Sequence, residues 1–484
     1  MRSVAGGGVA LATDGRESAQ VALTQRREPR ALIRVAPMGS DDGSAPRASS
    51  TAKRIWTTFT AISLFAIFIV AAQLFWPTRR KSITPLETAF VLRNHEGVEI
   101  HILPTGASIH RLLLPDRKGR KTDVALGMDS EAGYSDGTSP YFGAIAGRFA
   151  NRIANASFTL DGKTHHLRVN EKGFPGSLHG GVVGFDKVRW QATRLLASEV
   201  QLQHGIDGEA IHLVYRSADG EQGYPGNLEA EITYLLTSRG NGDGESVGEL
   251  IQSITATTDA PTVINLAQHS YFNLAGHDSG RSILSHELTL HDATHVLPVD
   301  SHRIPTGEFR AVANTPFDFT ARRLIGEGIE TVDGPGWHAG YDHCFVLHGA
   351  GHGEPGGRAH KNRRSGGMPV ADDHWWLAHP KRAATLRDPT SGRTMEIRTT
   401  APGLQLYTSN FLDGTLANTK DGATYEKYAG VCLETQSFPD GPNREVPLAE
   451  QPMGKKGPYQ PYPTGVLRPG EVYRHKTVYR FSVR

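Results

Sequence analysis

Two cysteines in 484 residues, Cys344 and Cys432, are too few for a disulfide framework. The fold must rest on a packed core, and free, buried thiols are the expectation for both. The chain also lacks an excess of charge of either sign. Its 52 Lys and Arg stand against 50 Asp and Glu, which excludes the basic footprint of a nucleic-acid binder. Apolar residues are scarce, at 38%, while 54 glycines and 28 prolines imply many turns. No glycine-rich phosphate loop follows a strand and opens a helix, and no repeat of fixed period is present. His291, Asp292 and His295 have a spacing that suggests metal ligands, but no third ligand is evident beside them. No metal and no cofactor are expected.

What is present falls into three regions. Residues 1–52, rich in Gly, Ala, Ser and Arg, carry no period of 2 or 3.6 and read as a disordered tail. Residues 55–76 carry no charge, and a helix of about 22 residues rises about 33 Å, enough to cross a bilayer. Trp56 and Trp76 stand at its ends, with Lys53-Arg54 and Arg79-Arg80-Lys81 beyond them. The reading is a single-pass membrane anchor with the large domain on the lumenal or extracellular side. The flanking charges nearly balance, so the positive-inside rule barely votes on that orientation.

From residue 86 onward, short alternating runs such as 89–93, 98–103, 157–160, 212–215 and 230–236 are separated by turn clusters at Asp161-Gly162 and at 241–244. Many short strands without intervening amphipathic helices indicate an all-β, antiparallel sandwich or barrel over 86–484. Residues 349–373, rich in Gly and charge, read as a flexible loop insertion between strands.

Five segments concentrate polar groups between apolar runs: Gly147-Arg-Phe-Ala-Asn-Arg-Ile, Ser177-Leu-His-Gly-Gly, Asn265-Leu-Ala-Gln-His-Ser-Tyr-Phe-Asn-Leu, Gly340-Tyr-Asp-His and Cys432-Leu-Glu-Thr-Gln. A histidine in an apolar segment, as at His269, needs partners if buried, and most such residues are structural. Glu434 follows Val431-Cys-Leu, where a free carboxylate would be costly. Together the two suggest a polar pocket on a sheet face.

At these segments, and at Leu404-Gln-Leu-Tyr-Thr-Ser-Asn-Phe-Leu, Glu434-Thr-Gln-Ser-Phe-Pro-Asp and Leu467-Arg-Pro-Gly-Glu-Val-Tyr, the chain resembles the aldose 1-epimerase (galactose mutarotase) family. The segments occur in family order over about four fifths of the chain. The resemblance implies an antiparallel β-supersandwich with a sugar site on its concave face. It implies His269 as general acid and Glu434 as general base, with Asn151, Arg152, His179, Tyr271, Asp342 and Gln405 holding the sugar. The expected activity is cofactor-free interconversion of the α and β anomers of free hexoses, galactose and glucose. Gln268, where many members have Asn, and Ser437, where His is frequent, depart from the pattern.

The chemistry fits these residue types. Opening the ring requires a base at the C1 hydroxyl and an acid at the ring oxygen. A carboxylate raised toward neutrality by desolvation suits the first task, and a histidine with its ordinary value near 6.5 suits the second. Two rival readings remain at this stage: a hexose-6-phosphate epimerase, which calls for extra Arg or Lys around the cleft, and a membrane-tethered sugar-binding protein without catalysis. Asn155-Ala156-Ser157 is a glycosylation sequon, relevant only to a lumenal domain.

Overall fold

A computed structural model describes residues 86, 88–238, 246–332, 340–347, 379–444 and 462–484. The expected tail at 1–52, the membrane helix at 55–76 and the insertion at 349–373 lie outside the described residues. No helix among the described residues is long and apolar enough to cross a membrane.

Residues 83–484 form one compact unit whose regular structure, among the described residues, is almost all antiparallel strand. Nine strands make the larger sheet, in the spatial order Gln191–Leu195, Gly208–Ser217, Leu228–Thr237, Ser246–Thr258, Tyr473–Val483, Arg393–Thr399, Lys381–Arg387, Glu287–Leu290 and Arg323–Leu324. Six make the second sheet: Tyr271–Phe272, Val431–Gln436, Gly403–Tyr407, Asp342–Val346, His295–Leu297 and Arg310–Ala311. Ile254, Leu386, Ile397 and Tyr479 of the first sheet share one apolar core with Phe272, Phe345, Leu404, Leu406, Val431 and Leu433 of the second. Side chains alternate across a strand, so burying one face of each sheet leaves the other face of the smaller sheet for different work. A four-stranded meander over Phe90–Asp123 packs its Ile100, Ile102 and Leu112 into the same core.

The expected strands form at 90–93, 99–103 and 157–160, and within 208–217 and 228–237. At Asp161-Gly162 both residues have positive φ, 50° and 80°. That is the backbone a two-residue turn needs to join 157–160 to its partner strand Lys163–His166. The turn cluster at 241–244 lies outside the described residues. Among the described residues two α-helices depart from the expected absence of helices, a single turn at Ala132–Ser135 and a longer one. Ala197–His204 is a helix, closed at its start by the Glu199 carboxylate accepting the Leu196 amide at 2.6 Å and at its end by Gly205 at φ 70°. Its Val200 docks on Ala210 and Leu235. Both cysteines are free and buried.

Candidate active site

The smaller sheet sets three polar groups side by side. Val431 and Leu433 face the core, so Cys432 and Glu434 project from the opposite face of the same strand. Leu404 and Leu406 likewise turn Gln405 and Tyr407 outward, and Gln405 lies directly across from Glu434. Asp342 stands opposite Tyr407 on the next strand and accepts the Gln405 side-chain amide at 2.7 Å.

His269 enters from the other side, between the Ala267–Gln268 and Tyr271–Phe272 strands. Its backbone is pinned at both ends, the amide donating to Ala144 O at 2.8 Å and the carbonyl accepting from Gly143 N at 3.0 Å. Its ring stacks on Tyr141 and Tyr271, with centroids at 5.7 and 5.2 Å, and meets His179 edge-on at 5.0 Å. Its Nε2 lies 3.5 Å from Glu434 Oε1.

Two turns complete the cleft. Asn151 and His179 both adopt left-handed backbone, φ 61° and 49°. They lock each other: the His179 amide donates to Asn151 O at 2.9 Å, and the Asn151 amide donates to His179 Nδ1 at 3.1 Å. Accepting there fixes the His179 proton on Nε2, so this ring offers a donor. Gly180 follows at φ 92°, where a Cβ would fall 1.8 Å from Gly147 O, so no other residue fits. Arg152 holds Glu171 through two bonds of 2.8 and 2.7 Å, both side chains being nearly buried.

All eight side chains singled out in the sequence therefore line one cleft of about 190 Å³: Asn151, Arg152, His179, His269, Tyr271, Asp342, Gln405 and Glu434. Tyr271 gives its hydroxyl proton to Pro140 O at 2.9 Å and supports the His269 ring with its face. Gln268 and Ser437, the two departures from the family pattern, are not part of the lining. Gln268 is consumed by Gly143 O and Ser270, and Ser437 pairs with Asn265 through its backbone. Asn155 is exposed and also stands outside the lining.

The sequence reading missed Tyr141, Glu171, Arg303, Tyr407 and Phe411, which join the same cleft. Tyr407 and Phe411 lie within the family-like stretch Leu404-Gln-Leu-Tyr-Thr-Ser-Asn-Phe-Leu but carry no signal of their own. Arg303 sits over the rings of Phe174 and Phe411, at 5.0 and 4.6 Å, and approaches Glu171 at 3.7 Å.

Electrostatics correct one expectation. The sequence predicts a His269 that titrates near its ordinary value, but burial pushes it down from 6.5 to about 4, against a raising contribution from its own backbone. Burial, aided by Asp342 and opposed by Arg152, pushes the Glu434 carboxyl well above its usual range. In the cleft as it stands, low polarity favours the neutral pair, with the proton on the carboxyl. The ion pair differs from it only by one proton moved across the 3.5 Å gap. Glu434 Oε2 and Gln405 Oε1 are buried acceptors without a hydrogen-bond partner.

Ligand atoms of His179, His269 and Glu434 lie within 4.8 Å of one another, a spacing open to a metal. The proton fixed on His179 Nε2 makes that nitrogen a donor to a hydroxyl instead. A second such group, Asp123, His277 and Asp421, is already occupied by the Lys420 ammonium, 2.7 Å from Asp123, and the Arg111 guanidinium, 2.7 Å from Asp421.

The family model for aldose 1-epimerase matches residues 88–480. Human galactose mutarotase is 40% identical over 387 residues, covering 80% of this chain and 92% of that one. The aldose 1-epimerase of Escherichia coli is 33% identical, covering 81% and 94%. Among solved structures, an aldose epimerase homologue from C. elegans superposes with a TM-score of 0.62 at 26% identity, covering 82% of this chain and 98% of that one. A galactose 1-epimerase from Lactobacillus acidophilus shares the fold, with a TM-score of 0.58 at 24% identity and coverage of 82% and 94%. The mostly-β architecture is that of the galactose mutarotases, and this chain belongs to the aldose 1-epimerase family, as an isomerase that interconverts sugar anomers.

Proposed function

We propose that the substrates are free hexoses, galactose and glucose, with Glu434 as general base and His269 as general acid. The observation that carries this reading is the approach of His269 Nε2 to Glu434 Oε1 at 3.5 Å inside a cleft rimmed by sugar-binding side-chain types. The relatives named galactose mutarotase support the choice of sugar.

In this reading Glu434 takes the proton of the C1 hydroxyl while His269 Nε2 gives one to the ring oxygen. The C1–O5 bond breaks, C1 becomes an aldehyde, and the chain turns about C1–C2. Closure on the other face returns each proton to its source, so no net proton is consumed. Each transfer contributes roughly 10²- to 10⁴-fold. Arg152, Asp342 and Gln405 orient the hydroxyls, and a displacement of about 1 Å would cost roughly 10²-fold. A phosphorylated hexose is disfavoured because the two cleft arginines, Arg152 and Arg303, already lie against Glu171.

A polarimetric time course on galactose and glucose is the test. Glu434→Ala and His269→Ala should each lose at least roughly 10²-fold while remaining folded by circular dichroism. Full activity in either variant removes that residue from its role. Sugar binding by the unmodified protein with no acceleration of optical-rotation change would leave a binding protein instead.

We infer further that residues 55–76 anchor the enzyme in a membrane, supported by their uncharged length and the Trp56 and Trp76 termini. A lumenal or extracellular domain predicts glycosylation at the exposed Asn155. Deglycosylation should then shift the mass of the membrane-extracted chain, and Asn155→Gln should abolish the shift. Release of the chain by alkaline carbonate would overturn the anchor.

A further inference from the structure

The His269 imidazole spans two same-face residues of one strand. Its Nε2 faces Glu434, and its Nδ1 lies 3.6 Å from the sulfur of Cys432, two residues earlier. Cys432 is fully buried, held in register between Tyr271 on one side and Tyr407 on the other. The rings around His269 fix its plane: Tyr141 and Tyr271 lie nearly parallel to it, and His179 and Tyr407 stand across its edge. A ring clamped in plane still has two neutral tautomers. Which one forms depends on what meets each nitrogen.

The acid role assigned above imposes a choice. Nε2 must hold a proton before transfer and a lone pair after it, so the other nitrogen must keep its proton in both states. We propose that Cys432 is a positioning residue for the reaction: its sulfur accepts the Nδ1–H of His269 and leaves Nε2 as the nitrogen that gives and takes the proton. This rests on the reading of His269 as the acid.

The sulfur suits the task. Burial, together with Glu434 and Asp342, pushes the thiol well above its usual range, so it stays an uncharged S–H. A thiolate at this position would trap the imidazolium and oppose proton release. An uncharged sulfur is a weak acceptor, strong enough to choose a tautomer and too weak to hold a charge. A carboxylate in its place would add a third carboxyl group beside Glu434 and Asp342, in a cleft that already resists ionisation.

The test uses the full-length chain and its Cys432→Ala, Cys432→Ser and His269→Ala variants. Cys432→Ala should lower kcat on galactose about fivefold with KM unchanged, the scale of one modest hydrogen bond. Cys432→Ser, whose hydroxyl is also an acceptor, should return kcat to within about twofold. An unchanged kcat in Cys432→Ala, or a Cys432→Ser loss as deep as that of Cys432→Ala, overturns the proposal. Should Cys432→Ala fail to fold, ¹⁵N NMR of the unmodified histidine-labelled protein decides, with His269 identified by its absence from His269→Ala. A protonated Nδ1 at neutral pH is expected, and a bare Nδ1 overturns the inference. Full activity in His269→Ala instead defeats the acid assignment itself, so the two failures are distinguishable.

Discussion

Two buried polar clusters lie on either side of the strand that carries Tyr271, and they are satisfied to different degrees. Behind it, Lys420 spends all three protons, on His110 O at 2.7 Å, Ala125 O at 2.6 Å and Asp123 at 2.7 Å. Arg111 joins Asp123 to Asp421, and His277 closes the cluster onto Asp421 and Tyr425. In front, the cleft leaves Glu434 Oε2 and Gln405 Oε1 buried without partners. The first cluster is the more nearly saturated, Arg111 Nε being its one buried side-chain atom without a hydrogen-bond partner, and such a cluster resists change because its members would be orphaned by the loss of one another. An unsaturated one carries a folding cost and is retained for what it can bind. The first braces the scaffold, since Ala125, which binds Lys420, bridges to Phe272 next to Tyr271. The second offers its free acceptors to the sugar hydroxyls of the proposed reaction.

The largest effect that would sharpen this contrast comes from acid. Four buried histidines, His269, His286, His343 and His475, are each pushed by burial from 6.5 to about 4. Unfolded, each takes up a proton near pH 6.5; folded, it does so only near pH 4. Stability is therefore complete above pH 6.5 and drains away as pH falls toward 4, at about 1.4 kcal/mol per proton per pH unit. His286 and His343 would also lose acceptor nitrogens, which now take the amides of Leu274 and Asp342. The carboxyls of the charge cluster do not contribute in that window. Asp123, despite burial, is held below its usual range by Lys420 and His277, and Asp421 is held below it by His277 and Arg111. Urea titrations between pH 7 and 4.5 should show a steep fall in midpoint, and a flat profile would remove the histidines from the account.

Little of this contrast was legible in the sequence, although the residues on both sides of it were in plain view. Glu434 and His269 could be singled out because polar groups inside apolar strand segments are costly, and the period of 2 along Val431–Gln436 already sets Cys432 and Glu434 on one face. The lowered titration of His269 could not be read, because it follows from burial among four rings and not from its neighbours in the chain. Glu171 and Arg303 come from loops, whose paths no periodicity encodes. The helix at Ala197–His204 has one buried anchor among its described side chains, Val200, whose partners Ala210 and Leu235 lie on two different strands, so no apolar stripe announced it.

The next effect in size breaks the scaffold cluster. Lys420→Met leaves Asp123 with Arg111 at 3.1 Å and the more distant His277 at 4.0 Å, and strips the carbonyls of His110 and Ala125 of their donor. Stability should fall by about 3–5 kcal/mol, measured by chemical denaturation, while the folded fraction keeps its turnover on galactose. A variant as stable as the parent would show that saturation is not what holds this region.

The smallest effect on stability, and the sharpest contrast, is at Glu434. Replacing this carboxyl with the amide of Gln keeps its shape and removes an ionisable group that burial and Asp342 both penalise. Because the folded protein binds the Glu434 proton more tightly than the unfolded chain does, the penalty grows as pH rises above the ordinary carboxylate range. Glu434→Gln should therefore leave the melting midpoint unchanged at pH 5 and raise it at pH 8. Removing one member of the more nearly saturated cluster costs stability and spares turnover. Removing the carboxylate of the unsaturated one should spare stability and, through loss of the base, turnover should fall by roughly 10²-fold or more. A Glu434→Gln midpoint as low as that of Lys420→Met would mean that the cleft, too, is held together by its charges.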